Sequence, residues 1–230
     1  MYGLINHIRN LLFDKGVLKT LSHDTVVISV GNLKAGGTGK TPFVEYLLRL
    51  LASSYNIAVI SRGYGRKTKG YRLVDPQGRA EDFGDEPLQM AKKFPNVLFA
   101  VCESRNKAIE IIEAEYPDIN LVLLDDAYQH RYTARDFNIL LTEYNRPFFK
   151  DRVLPFGLLR EYRQGYKRAD CIVVTKCPPL EERERKDFAE KLKALPDQRI
   201  FFSEIHYRLP YLLNDESRKL NLSEHSVVLF

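Results

Sequence analysis

Apolar residues along this chain gather in short runs, 26–31, 57–61, 97–101, 121–125, 137–141, 171–175 and 200–205, each bounded by Gly, Pro, Asp or charge. Runs of that length predict strands. Between several of them the apolar spacing becomes helical: 42–51 carries Phe43, Val44, Leu47, Leu48 and Leu51, and 104–115 carries Ala108, Ile109, Ile111 and Ile112. Strands alternating with helices predict βαβ units, hence an α/β fold whose mostly parallel sheet is covered by helices on both faces. The unbroken run Leu121, Val122, Leu123, Leu124 suits a central strand. The charged stretch 181–195 reads as a solvated surface helix. No internal repeat is evident.

The first 25 residues have a different pattern. Leu4, Ile5, Ile8, Leu11 and Leu12 are spaced for one helical face, and Arg9, Lys15 and Lys19 add positive charge, which predicts an amphipathic helix. Such a helix can dock on the protein's own core or lie in the interface of an anionic membrane, and composition leaves both open. At the other end, 226–230 read Ser-Val-Val-Leu-Phe with no turn, cap or polar tail after them, so a truncated product is expected.

The 230 residues hold 35 Lys and Arg against 30 Asp and Glu, a net charge of +5, and are 44% hydrophobic. With 13 Phe and 13 Tyr to bury, this balance excludes a disordered chain and describes one soluble globular unit. No run approaches the roughly 20 apolar residues of a membrane-spanning helix, and the start lacks a signal peptide's layout, so a cytoplasmic protein is expected. Cys102, Cys171 and Cys177 form no CxxC pair and are odd in number, which points to reduced thiols in the packed fold.

The strand at 26–31 runs into Asn-Leu-Lys-Ala-Gly-Gly-Thr-Gly-Lys-Thr-Pro at 32–42 and then into an amphipathic helix, which is the strand, glycine loop and helix of a P-loop. Gly36, Gly37 and Gly39 let successive backbone N–H groups face phosphate oxygens, and the helix adds the positive end of its dipole. Lys40 would reach the β- and γ-phosphates and Thr41 would give its hydroxyl to Mg²⁺; Pro42 fits the first helical turn. The strict pattern asks for Gly at position 34, where this chain has Lys34. A second element, the apolar run ending in Asp125 and Asp126, has the form of a Walker B strand, with carboxylates at the strand end where α/β ligands bind.

Three further stretches offer chemistry. Residues 61–72 carry five basic residues, among them Arg62, and no acid: a clamp for an anion or a solvated loop. Gly84-Asp85-Glu86-Pro87 puts two acids in a turn before a helix, where Asp85 on physical grounds reads first as an N-cap. Residues 154–161 form a Pro- and Gly-bent loop delivering Arg160 and Glu161, inside a segment 150–168 with six basic residues against two acidic ones. Gln129 and His130 follow the aspartate pair, near enough for the imidazole to sense phosphate or orient a carboxylate.

The motifs Val-Gly-Asn-Leu-x-x-Gly-Gly-Thr-Gly-Lys-Thr-Pro (30–42), Ser-Arg-Gly-Tyr-Gly (61–65), Gly-Asp-Glu-Pro (84–87), Leu-Asp-Asp-x-Tyr-Gln-His-Arg (124–131) and Leu-Pro-x-Gly-x-Leu-Arg-Glu (154–161) together resemble the tetraacyldisaccharide 4'-kinase, or lipid A 4'-kinase, family, from the N-terminal helix through about Lys176. That family shares the departure at Lys34. The resemblance implies a P-loop NTPase fold and a kinase of lipid A biosynthesis, using ATP and Mg²⁺ at the cytoplasmic face of the bacterial inner membrane. Its acceptor would be the 4'-hydroxyl of an acylated, 1-phosphorylated glucosamine disaccharide, an anionic glycolipid. It implies nucleotide binding by Lys34, Ala35, Gly36, Gly37, Thr38, Gly39, Lys40 and Thr41, metal binding by Thr41, Asp125, Asp126 and Glu161, and catalysis by Lys40, Asp125, Asp126 and Asp85, the last as general base rather than cap. It also implies that Arg62, Arg105, Gln129, His130 and Arg160 lie toward substrate or phosphate, and that the N-terminal helix meets the membrane.

Two departures from the family stand out. Ala127 replaces a usual Gly, which a turn without positive φ tolerates. The family also continues into a second lobe whose Asp-His-His motif has no counterpart here, since His206 and His225 lie in no matching context. The expected division is therefore 1–25, membrane-interface helix; 26–205, P-loop kinase core; and 206–230, the start of a connection to a second lobe. A regulatory P-loop ATPase or GTPase switch is the alternative, but its signatures miss: Ala35 separates Lys34 from the Gly pair, and Pro178 stands where a guanine-reading Asp belongs after Thr175 and Lys176. No nucleic-acid recognition module is evident, so no nucleic-acid partner is expected.

Overall fold

The computed structural model describes residues 2–205, 211–212 and 215–219. Its sheet is built from β1 (Val26–Asn32), β2 (Ile57–Ser61), β3 (Arg72–Leu73), β4 (Leu98–Val101), β5 (Leu121–Asp125), β6 (Phe137–Glu143), β7 (Cys171–Thr175) and β8 (Arg199–Phe202). The strand order is β3-β4-β2-β5-β1-β6-β7-β8. Every pairing is parallel except that of β3 with β4. Each predicted strand is present; β6 runs two residues further than expected and β8 stops at Phe202. The two residues of β3 are exposed and too few to show a period, so the sequence did not announce them.

Helices α2 (Lys40–Leu51), α4 (Asp85–Lys93), α5 (Arg105–Glu115) and α6 (Glu182–Leu192) cover the sheet, with a short α3 (Ala80–Phe83) before α4. The alternation along β5 shows why both faces must be covered. Leu121 and Leu123 pack with Val44, Leu47 and Leu48 of α2 and Met90 of α4 on one face, while Val122 and Leu124 pack with Ala108, Ile109 and Ile112 of α5 on the other. Each such side chain contributes about 1.5–3 kcal/mol by leaving water. Ser104 caps α5 by accepting from the Lys107 N–H, and α6 begins with a capping box between Glu181 and Glu184. The surface helix expected at 181–195 thus exists, but it also buries Phe188 and Leu192 against β6 and β7.

Helix α1 (Tyr2–Asp14) docks with its polar side inward. Asn6 and Phe13 are buried, whereas Ile5, Ile8 and Leu11 are 60%, 50% and 41% exposed. Of the two dispositions open to the amphipathic helix, burial of its apolar stripe in the core is the one the structure excludes for these three residues. Among the described residues no helix is long and apolar enough to cross a membrane. The three cysteines are buried and unpaired.

Beyond β8, Tyr211–Leu212 (β9) and Asp215–Lys219 (β10) pair antiparallel. His206, His225 and the run 226–230 lie outside the described residues. In the main sheet the loops after the parallel strands emerge at one edge. Val30 of β1 pairs with Asp125 of β5, and Asn32 with Leu141 of β6. The phosphate loop is therefore flanked by the aspartate pair on one side and the exit of β6 on the other, where α/β proteins bind ligands.

Candidate active site

The loop leaving β1 is held from several directions. Asn32 Nδ2 donates to Thr38 Oγ1 at 2.7 Å, Thr175 Oγ1 donates to the Thr38 carbonyl at 2.9 Å, and Lys176 Nζ donates to the Gly37 carbonyl at 2.6 Å. Gly36 and Gly39 have φ of 111° and 83°, a backbone that side chains resist, and a Cβ on either would meet nothing within 4 Å. The curl is thus prepared and open above, with Gly39 as the N-cap of α2 and Lys40 and Thr41 in its first turn.

Lys34 is turned away from that opening. Its buried amino group lies 3.4 Å from Glu143 Oε2 and 3.2 Å from the Arg146 carbonyl, and Lys176 Nζ binds the other oxygen of Glu143 at 2.6 Å. Burial raises the Glu143 carboxyl, but the hydrogen bond and charge of Lys176, with the charge of Lys34, bring it below its usual range. The Lys34 side chain fastens the loop to β6, which gives a structural reason for a lysine where the strict pattern has glycine. Glu143, Asn145, Arg146 and Lys176 line a cavity of about 220 Å³ beside the loop. The sequence marks none of these four as a site residue; the only local signal, Thr175 and Lys176 after a strand, is that of a guanine-reading loop, which Pro178 breaks.

Three carboxylates converge on the other side. Asp125 is 3% exposed, and burial, then the charges of Asp126 and Glu86, push its carboxyl up to about 7. Its Oδ1 is buried without a hydrogen-bond partner. A buried carboxylate oxygen without a partner, with two further acids acting on it, is compatible with a cation there, although Lys40 and Arg105 also act on it. Thr41 Oγ1 donates to Glu86 Oε2 at 3.1 Å, which ties the 84–87 motif to the phosphate loop. These residues fit Mg²⁺, but among the described residues no three acidic, His or Cys groups form an all-protein metal cage. The ion would take its other ligands from phosphate and water. Glu86 was not among the expected site residues.

The titration of Asp125 has a sign that can be checked. Its folded value lies above the 3.8 of an ordinary aspartate, so the folded state holds the extra proton. The metal-free fold should therefore lose stability as pH rises from about 4 to about 7 and then level off. Asp125→Asn is expected to melt near wild type at about pH 4, to exceed it above about pH 7, and to gain less from Mg²⁺. Melting curves at both pH values, with and without Mg²⁺, check this; parallel pH shifts in the two proteins would refute it.

Asp85 is exposed and stands as the first residue of α4, while the cap itself is Gly84, with no side-chain cap bond. The N-cap reading of Asp85 is thereby corrected. Gly84, at φ 91°, has its Cα so close to the 63–64 backbone that a Cβ would lie 2.8 Å from the Tyr64 carbonyl, and this contact brings the 61–65 motif beside Asp85. Arg62 in that motif is exposed, with no ion pair among the described residues. The basic stretch as a whole is not a free clamp, since Arg66 is paired with Glu103 at 2.7 Å and Lys67 with Glu81 at 2.9 Å.

Asp126, at φ 47°, takes the strained turn, which leaves Ala127 free of the positive φ that would have required glycine. Lys40 Nζ lies 3.6 Å from its Oδ1, and Arg160 Nη1 is 3.1 Å from both its oxygens. The remaining expected residues have these partners. Arg105, 3% exposed, donates to the Cys102 carbonyl at 2.8 Å and the Asp125 carbonyl at 3.4 Å, so it braces strand ends. Burial, then the charges of Arg105 and Arg135, push His130 down to about 4. Gln129 bridges the Asn32 carbonyl at 2.8 Å and Glu161 Oε1 at 3.1 Å. Glu161, 1% exposed, spends both oxygens on Arg168 at 2.8 Å and accepts from Asn10 at 2.8 Å. Glu161 thus links α1, Gln129 and Arg168 behind the aspartate pair.

A parallel sheet, a braced glycine loop and carboxylates on the neighbouring strand define a P-loop nucleotide-binding α/β protein. The chain belongs to the tetraacyldisaccharide 4'-kinase family: the family profile described as tetraacyldisaccharide-1-P 4'-kinase matches residues 1–230. It is 49% identical over 217 residues to the tetraacyldisaccharide 4'-kinase of Flavobacterium johnsoniae, covering 94% of this chain and 64% of that protein. With the Bacteroides thetaiotaomicron protein of the same name it shares 46% over 209 residues, covering 90% of this chain and 55% of that protein. The chain thus spans little more than half to about two thirds of these relatives' length. The crystal structure of LpxK from Aquifex aeolicus in complex with ATP is similar, with TM-score 0.70 and 31% identity over 90% of this chain and 79% of that one.

Proposed function

We propose that this chain, at its relatives' full length, is an ATP-dependent kinase that phosphorylates the 4'-hydroxyl of the acylated glucosamine disaccharide 1-phosphate precursor of lipid A. The observation that carries this reading is the meeting of loop 32–41 with Asp125 and Asp126 at the adjacent strand end and with Glu86 of α4, in a member of this family. The ATP in the related crystal structure supports the choice of nucleotide. Family membership favours the kinase over the regulatory switch.

ATP supplies the γ-phosphoryl group and Mg²⁺ its charge neutralisation. The loop's N–H groups and Lys40 hold the phosphates, Thr41, Asp125 and Asp126 hold the ion, and Arg62 adds a cation from the 61–65 loop. Asp85 accepts the 4'-hydroxyl proton as that oxygen attacks phosphorus and ADP leaves. Residues 1–25 serve as the membrane-facing segment, 26–205 as the catalytic core and 206–230 as the connection to a second lobe. The test is an assay of the full-length protein with the disaccharide lipid in detergent, ATP and Mg²⁺. Lipid-dependent ADP formation is expected, and ATP hydrolysis without phosphorylated lipid would instead favour the switch.

The outward apolar side chains of α1 support peripheral binding at the cytoplasmic face of the inner membrane, beside an anionic lipid substrate. Ile5→Glu and Ile8→Glu remove side chains that are exposed, so the fold should hold. Each is expected to weaken association with anionic vesicles roughly tenfold, from the apolar area kept out of lipid. Vesicle sedimentation checks this, and unchanged partitioning would sink the membrane role.

A further inference from the structure

Helix α1 reaches the site through its polar face. Asn6, Arg9 and Asn10, spaced three and four residues apart and so on one side of the helix, each bind a different residue of the platform behind Asp126. Asn6 Nδ2 donates to the Arg160 carbonyl at 2.9 Å, Arg9 donates to the Gln129 carbonyl at 3.2 Å, and Asn10 Nδ2 donates to Glu161 Oε2 at 2.8 Å. Each of those residues leads inward. Arg160 donates its N–H to the Leu33 carbonyl at 2.7 Å and grips both oxygens of Asp126. Gln129 holds the Asn32 carbonyl, where the phosphate loop begins, and also Glu161. Arg131 closes the contact from the other side, donating to the Asn10 carbonyl at 3.0 Å and to Asp14 at 2.7 Å.

We infer that α1 is a positioning element of the nucleotide site: Asn6 and Asn10 act through Arg160 and Glu161 to set Asp126 and the root of the phosphate loop. This rests on the Mg-nucleotide reading of that site. An apolar contact tolerates sliding, whereas three hydrogen bonds to three different residues specify one seat for the helix, and groups that orient a metal-binding carboxylate change metal affinity without touching the ion. The side of α1 offered to lipid and the side that sets the site are opposite faces of one helix of 13 residues.

The test uses the full-length protein and a fluorescent ATP analogue, without lipid. Asn6→Ala/Asn10→Ala is expected to raise the Mg²⁺ concentration for half-saturation roughly tenfold. Binding to anionic vesicles should be unchanged, since Ile5 and Ile8 remain. In an Arg160→Ala background Asn6→Ala alone should add little, because the guanidinium that carries its effect to Asp126 is gone, whereas Asn10→Ala keeps its effect through Glu161 and Gln129. A loss of packing alone would lower the melting temperature but leave the Mg²⁺ midpoint of the folded protein in place. If the double variant does not fold, Asn10→Ala alone carries the test. An unmoved midpoint, or an Asn6→Ala loss that simply adds to that of Arg160→Ala, would overturn the inference. A wild type that binds no Mg-nucleotide would overturn the functional reading along with it.

Discussion

Lys40→Met in the full-length protein is expected to lower kcat by about 10³-fold while leaving the KM for ATP within a few fold, because the lost charge matters most where charge develops during transfer. Methionine preserves the alkyl stem, and the grip of Asn32, Thr175 and Lys176 on the loop does not involve Lys40. The backbone that receives the phosphates should therefore survive. Asp126 keeps Arg160 at 3.1 Å after losing Lys40 at 3.6 Å, so the half-exposed carboxylate is not left unpaired. Steady-state kinetics with ATP varied at saturating lipid separate the two constants. A large rise in KM with kcat intact would mean that Lys40 only binds nucleotide.

Asp85→Asn is expected to cost about 10²–10⁴-fold in kcat with almost no change in melting temperature. The asymmetry follows from its position. Asp85 is exposed in the first turn of α4, where a carboxylate gains about 0.3–1 kcal/mol from the helix dipole. It caps nothing, so a structural role is worth no more than that. Its value lies in its neighbours: Glu86 reaches Thr41, and Gly84 lies against the Gly63 and Tyr64 backbone. Equal turnover in wild type and Asp85→Asn would remove the general base from the mechanism, whatever the melting curves show.

How much of this was legible beforehand depends on whether a signal was local. Strands β2, β5 and β7 were readable because their side chains are buried on both faces and so mostly apolar in the sequence; β3, two exposed residues, was not. The glycine loop was readable because backbone geometry at Gly36 and Gly39 demands that residue. The partners of Lys34, Arg105 and Glu161 were not legible, for one shared reason. Each is a charged residue beside a recognisable motif, and only the positions of Glu143, the Cys102 carbonyl and Arg168 reveal that its charge is spent inside the protein. Arg62, equally basic, stays exposed.

Sequence alone determined the α/β class, the phosphate loop, the aspartate pair and, through five ordered motifs, the family. Those are properties of adjacent residues, set by steric rules and by the spacing of apolar side chains. Tertiary structure alone decided which charges remain available, because burial and partner distance depend on residues far apart in the chain: Glu86 meets Thr41, Lys34 meets Glu143, and Asn10 meets Glu161. It likewise decided that the first helix turns its polar side inward, since three hydrogen bonds to the platform behind Asp126 favour that side while Ile5, Ile8 and Leu11 face out.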